Sequence, residues 1–141
     1  MEVFKMNDVM IRFDKVDGDL NFGIKKGIPY LYGKNERLGL RFYGELPKES
    51  IEKIINTHEE TLFIKCKNQS FEETFEEVED CEEAKDIIFF NFNEGTGFYG
   101  FMILGKQHKL LIELSIEDYE DFIMFLTSYQ SQLPTTKVVG L

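Results

Sequence analysis

The sequence has no tryptophan, one alanine, two histidines and two cysteines among its 141 residues. Metal sites in proteins need histidine, cysteine or carboxylate ligands clustered at short spacing. His58 and His108 are fifty positions apart, and Cys66 and Cys81 form no Cys-x-x-Cys pair. The sequence therefore predicts no metal site and no cofactor, unless His58, Cys66 and Cys81 converge in space. Two cysteines also make no disulfide framework, which a chain of this length does not need.

Long apolar runs are missing as well. No stretch approaches the ~20 apolar residues that a membrane-spanning helix requires, and residues 1–5 lack the basic-then-apolar pattern of a signal peptide. We therefore expect a cytoplasmic protein that makes no membrane contact. The scarcity of alanine beside abundant Lys, Ile, Phe, Asn and Glu is typical of an AT-rich genome, such as that of a low-GC bacterium or its phage.

Patterns for catalysis and nucleotide binding are also lacking. No Gly-x-Ser-x-Gly elbow is present, and Gly95–Gly100 matches the letters of a dinucleotide-binding loop without the helix that should follow it. The sequence predicts a turn and a strand there instead. We expect no catalytic residue and no enzymatic activity. An enzymatic function would still be compatible with the sequence if Glu113 lay close to Glu94 or Asp86 in space and formed a pair of carboxylates.

Apolar and polar residues alternate in several short segments, which is typical of half-buried strands. Asp17-Gly18 predicts a tight hairpin turn with a glycine at positive φ. Tyr30-Leu31-Tyr32 leads into a polar turn at 33–35. The segments predicted as strands are 8–14, 20–24, 38–42, 62–66, 87–92, 98–104 and 109–114.

Three segments have helical spacing. Pro47 opens the first, in which Ile51, Ile54, Ile55 and His58 share a face. Ser70 and Glu73 form a capping-box pattern ahead of the second, 71–85. Ser115 and Asp118 cap the third, whose apolar stripe consists of Ile116, Tyr119, Phe122, Ile123 and Leu126.

The sequence thus predicts one α+β domain over residues 1–141, with a loose tail at 134–141. Its sheet is mostly antiparallel and has six to seven strands in the order βββ-α-β-α-βββ-α, with the helices on one face. The 14 phenylalanines predict a core built largely from aromatic side chains.

Negative charge is concentrated in one segment. Residues 72–86 contain nine acids and one lysine, which give −8 of the net charge of −10. Like charges three and four positions apart destabilise a helix by about 0.2–0.5 kcal/mol a pair. Burial of an apolar face therefore has to stabilise such a helix. One interpretation is a solvated helix that happens to be acidic.

The functional interpretation is a docking surface for a cationic protein, because a row of carboxylates resembles the charge of a phosphate backbone. The leading hypothesis is a non-enzymatic inhibitor or immunity protein that blocks a basic partner, such as a nuclease toxin or defence nuclease. Direct binding to nucleic acid is not expected. The predicted partner-binding residues are Glu72, Glu73, Glu76, Glu77, Glu79, Asp80, Glu82 and Glu83.

The alternative hypothesis is a small-molecule-binding or homo-oligomeric assembly domain that uses the sheet face left bare by the helices. The sequence is also compatible with a homodimer that forms through edge strands. The candidate residues of this face are Tyr30, Tyr32, Arg37, Arg41 and Tyr43.

Overall fold

Alternation of apolar and polar residues builds the first half of the sheet. The computed structural model describes residues 8–57, 60–68, 81–91 and 97–130. The first four strands, β1 (Val9–Lys15), β2 (Gly18–Lys25), β3 (Ile28–Asn35) and β4 (Leu40–Glu45), form an antiparallel meander. Their inward side chains, among them Phe13, Phe22, Leu31 and Phe42, are buried in the core.

The second half of the sheet is centred on one long strand, β6 (Cys81–Asn91). Its beginning pairs in parallel with β4, and its later part pairs antiparallel with β5 (Thr61–Lys65). On its other side β6 pairs with β7 (Tyr99–Gly105), and β7 pairs with β8 (Lys109–Leu114). The parallel contact between β4 and β6 therefore joins the two halves into one curled, mostly antiparallel sheet.

The curl brings the two halves of the sheet face to face. A Cβ on Gly33 of β3 would lie 2.6 Å from Ile103 Cδ1 of β7 and 3.4 Å from Ile112 Cδ1 of β8. Side chains from both halves thus share one core, and the chain forms a single α+β domain.

Two helices accompany the sheet in the described residues, α1 (Glu49–Asn56) and α2 (Ile116–Tyr129). Ser115 caps α2 as predicted, because its hydroxyl oxygen accepts a hydrogen bond from Asp118 N at 3.1 Å. Phe122 and Leu126 of α2 are fully buried, whereas Ile116 is 60% exposed, so its assignment to the buried stripe was wrong. None of the described helices is both long and apolar enough to cross a membrane.

The predicted elements differ from the structure in two places. Four strands, not three, precede the first helix, so the described residues contain eight strands rather than six or seven. The predicted helix 71–85 is also wrong at its end, since Cys81–Lys85 begin β6. Residues 71–80 of that helix, His58 and the predicted tail 134–141 lie outside the described residues.

The first hairpin turn differs from its prediction. The turn is formed by Val16 and Asp17, and Gly18 is already in β2, opposite Lys15. Position 18 requires glycine because the backbone of β3 approaches it closely, not because of its φ angle. A Cβ on Gly18 would lie 1.9 Å from Lys34 O. The next turn does have positive φ, at Lys26 (52°) and Gly27 (77°).

Candidate functional site

The predicted acidic surface is only partly within the described residues. Glu72, Glu73, Glu76, Glu77, Glu79 and Asp80 lie outside them. Glu82 and Glu83 lie on β6, where successive side chains point to opposite faces of the sheet. These two acids therefore do not share the helical surface that the sequence predicted.

Asn68 ties the two ends of the acidic connection 69–80 to the sheet. Its Oδ1 accepts a hydrogen bond from Glu45 N at 2.6 Å. Its Nδ2 donates to Glu83 Oε1 at 3.0 Å and to Ala84 O at 2.7 Å. Asn68, directly before the connection, thus contacts the third and fourth residues after it.

Glu82 points to the other face and binds the turn between β7 and β8. Its Oε2 accepts hydrogen bonds from the backbone N–H groups of Gln107 and His108, both at 3.1 Å. Its Oε1 lies 2.8 Å from His108 Nδ1. A Cβ on Gly105 would lie 1.7 Å from Glu82 Oε2, so glycine at that position leaves room for the carboxylate.

The environment of Glu82 favours its charged form. Partial burial raises the pKa of the carboxyl group, but the hydrogen bonds from His108 and Gln107 outweigh it and leave the pKa below its ordinary value. His108 therefore has a partner that the sequence did not reveal. Its side chain is about half-exposed.

A cavity of about 480 Å³ lies beside the Glu82–His108 pair. Its wall carries the cationic side chains of Arg41, Lys85 and Lys106 together with Glu82 and Glu83. Of the residues predicted from sequence, Arg41, Glu82 and Glu83 therefore meet at one site. Lys85, Lys106 and His108 were missed as site residues, because only the parallel pairing of β4 with β6 brings them to Arg41.

The predicted tyrosine face is largely one surface of β3 and β4. Tyr32 lies opposite Tyr43 in the ladder, and Tyr30 stacks on Tyr43 with ring centroids 5.8 Å apart. Tyr43 is 7% exposed, and its hydroxyl donates to Glu45 Oε2 at 2.8 Å. Arg37 is separate from this face, in the exposed turn before β4. The aromatic part of the face is therefore more buried than the sequence interpretation assumed.

Two oxygens on the neighbouring strand β2 have unmet hydrogen-bonding capacity. Asp19 Oδ1 and Asn21 Oδ1 are buried and have no hydrogen-bond partner in the described part of the chain. Asp19 Oδ2 is paired with Arg12, 2.9 Å away. Buried acceptors nearly always have a hydrogen-bond partner. These two oxygens could therefore accept hydrogen bonds from a group that binds on the polar face beside Tyr32.

Both thiols favour their protonated form. Burial raises the pKa of Cys66 to about 12 and that of Cys81 to about 11, and the nearby Arg41 only partly offsets the shift at Cys81. The thiolate is the nucleophile and the metal ligand, so neither cysteine is activated for such chemistry. Within the described ranges, no group of three or more His, Cys, Asp or Glu side chains is arranged to hold a metal ion.

Comparison with known proteins identifies no relative of this chain. The chain matches no protein-family model, no curated protein and no solved structure. Its function is therefore argued from its own geometry and charge.

Proposed function

We propose that this chain is a non-enzymatic binding protein of the inhibitor or immunity type. Its partner is a basic protein that acts on nucleic acid, such as a nuclease toxin or a defence nuclease. The observation that carries the proposal is the attachment of the acidic connection at both ends by Asn68, Glu45 and Glu83.

The attachment supports the proposal because it holds Asn68 against Glu83 and Ala84, so the described residues on either side of the acidic connection lie next to each other. Six acids lie between Asn68 and Cys81, and the exposed Glu83 and Asp86 follow on β6. Concentrated negative charge speeds the encounter with a basic partner and competes with the phosphates that this partner binds.

The two described acids of the predicted set have different parts in this proposal. Glu83 is exposed, and its Oε1 accepts a hydrogen bond from Asn68. Glu82 is committed to the turn at Gln107 and His108. We assign Glu83 to the docking surface, and Glu82 to holding the turn beside it.

The test is capture of a partner by the tagged protein from an extract of its own cells, at about 50 mM and about 500 mM NaCl. The comparison variant carries amides at the acids of the connection: Glu72→Gln, Glu73→Gln, Glu76→Gln, Glu77→Gln, Glu79→Gln and Asp80→Asn. We expect the wild type to retain a basic protein at low salt. The variant should bind it at least about fivefold more weakly, because six exposed ion pairs contribute roughly 1–6 kcal/mol together.

A charge-matched control distinguishes the effect of removing acids from the acidic connection from the effect of lowering the net negative charge of the protein. It carries amides at six exposed acids elsewhere: Asp17→Asn, Glu52→Gln, Glu60→Gln, Glu117→Gln, Glu120→Gln and Asp121→Asn. This control has the same net charge as the first variant and should bind like the wild type. Equal weakening by both variants would show that overall acidity, not the connection, attracts the partner.

A second candidate is binding of a small anionic molecule in the 480 Å³ cavity, favoured by the convergence of Arg41, Lys85 and Lys106 on it. A panel of phosphates, nucleotides and dicarboxylates should then raise the melting temperature, since a ligand stabilises the state it binds. Arg41→Gln should abolish the rise, whereas Arg37→Gln, in the exposed turn, should keep it. A melting temperature unchanged by the whole panel would exclude this candidate.

A further inference from the structure

The outer face of strands β5 to β8 carries a line of apolar side chains. Phe63 pairs with Ile88, Ile88 with Met102, and Met102 with Leu111 across four neighbouring strands. Phe63 is 79% exposed and Leu111 is 48% exposed, and the two between them are partly exposed. We call these four residues the apolar row.

The apolar row is not part of the core. The residues that alternate with it, such as Ile64, Ile87 and Ile103, point inward and are buried. Phe90 and Phe98, whose ring centroids are 4.9 Å apart, extend the apolar surface on one side. Contiguous exposed apolar surface on a water-soluble sheet generally marks an interaction site.

The charges beside the apolar row are balanced. Lys65, Asp86 and Lys109 occupy the next row on one side, and Glu113 lies in the next row on the other side. This border contains two cations and two anions, whereas the whole chain has a net charge of −10. Most of the surface repels a second copy of the chain, but this face does not.

We propose that the apolar row is the contact surface of a symmetric homodimer, in which the outer faces of β5–β8 of two copies meet. In a two-fold dimer the same patch contacts itself. An axis along the row, perpendicular to the strands, places each row residue against its counterpart in the second copy. Two sheets then meet face to face, as in a β-sandwich.

The same axis pairs opposite charges. Lys109 and Glu113 lie on β8, two positions before and two positions after Leu111. Rotation about the row therefore brings Lys109 of each copy opposite Glu113 of the other and forms two reciprocal ion pairs. An axis along the strands would instead bring Lys65 of one copy against Lys109 of the other, since both lie in one row on the two outer strands. Charge complementarity thus selects the first arrangement.

Sedimentation velocity of the wild type over about 1–500 µM in about 150 mM NaCl measures the fraction of dimer as a function of protein concentration. We expect a concentration-dependent shift from monomer to dimer. Phe63→Thr replaces the aromatic ring by a β-branched side chain that is also favoured in strands and should weaken the dimer at least about tenfold. Leu38→Thr, at a 63% exposed position in a turn away from the row, is the matched control and should leave the dimer unchanged.

Charge reversal tests the arrangement of the two copies. Lys109→Glu and Glu113→Lys should each weaken the dimer, because each sets like charges opposite one another. An equimolar mixture of these two variants should form a heterodimer of restored affinity, since both cross-pairs are then of opposite sign. Lys25→Glu, at another exposed strand lysine, is the control for the charge change.

A wild type that stays monomeric over the whole range would overturn the proposal. The face would then be bare, or covered by another occupant such as residues 131–141 of the same chain or a foreign protein. A dimer that tolerates Phe63→Thr would also overturn it, and so would a mixture of the two charge variants that fails to pair. Circular dichroism of each variant verifies that the fold is intact.

Discussion

Replacing Phe122 with alanine is expected to lower the free energy of unfolding by about 3–5 kcal/mol, the largest effect of any substitution proposed for this chain. Phe122 is fully buried on α2. Its ring lies at centroid distances of 5.1 Å from Phe22, 5.3 Å from Phe101, 5.8 Å from Phe89 and 6.3 Å from Phe13. These four rings belong to strands of both halves of the sheet, so the substitution leaves a cavity where the two halves meet.

The measurement is urea denaturation of the wild type and the Phe122→Ala variant, followed by circular dichroism. For total stabilities of about 5–15 kcal/mol, the loss amounts to a large share of the whole. Met124→Ala serves as the control on the same helix, because Met124 is 67% exposed and should change stability by less than about 0.5 kcal/mol. A Phe122→Ala variant as stable as the Met124→Ala variant would contradict the central position of α2.

The second-largest effect is expected at Glu82, whose replacement by alanine should lower stability by about 1–3 kcal/mol. The backbone N–H groups of Gln107 and His108 would lose their acceptor, and the His108 ring would lose its partner. Glu82→Gln should lower stability less, because the amide oxygen still accepts from the two N–H groups.

The contribution of Glu82 depends on pH with a defined sign. Since the pKa of Glu82 is lowered in the folded protein, the stabilisation is fully present above the pKa of the unfolded chain, near ~4.3. It is lost as the pH falls through the lower pKa of the folded state. The stability difference between the wild type and Glu82→Gln should therefore shrink as the pH falls below about 4.

Denaturation midpoints at several pH values test this sign. Glu120→Gln, at an exposed position of α2, is the control and should show no such change with pH. A difference between the wild type and Glu82→Gln that grows as the pH falls below about 4 would contradict the hydrogen-bonding pattern at the turn.

Local patterns predicted most of the elements correctly. Alternation identified β1, β2, β5, β7 and β8 within one or two residues, because one face of each strand is buried and the other is not. The Ser115 cap and the helical spacing after it identified α2. In these segments the local preference and the tertiary environment agree, so the sequence alone was sufficient.

The segment at 81–85 shows where local patterns fail. Glutamate, alanine and lysine favour helices, and Cys81 and Ala84 continue a helical spacing from Phe71. In the structure Cys81–Glu83 pair with Arg41–Tyr43 in a parallel ladder, and tertiary pairing overrides the local preference. The partner strand lies forty residues earlier in the chain, and no local signal specifies that pairing.

The same pairing explains why much of the site could not be predicted. Arg41 was selected for the tyrosine face, and Glu82 and Glu83 for the acidic surface, as two unrelated hypotheses. The structure places all three around one cavity together with Lys85, Lys106 and His108. The apolar row was likewise missed, although its four residues lie in predicted strands, because it exists only in the register that aligns Phe63, Ile88, Met102 and Leu111.

The central claim, inhibition of a basic nucleic-acid-acting protein through the acidic connection, is tested most directly by the activity of the captured partner on nucleic acid. The partner is assayed alone and with increasing amounts of the wild type, the connection amide variant or the charge-matched control. We expect the wild type and the control to abolish the activity near equimolar addition, and the connection variant to leave it largely intact. Full activity with bound wild type, or equal inhibition by all three proteins, would contradict the account.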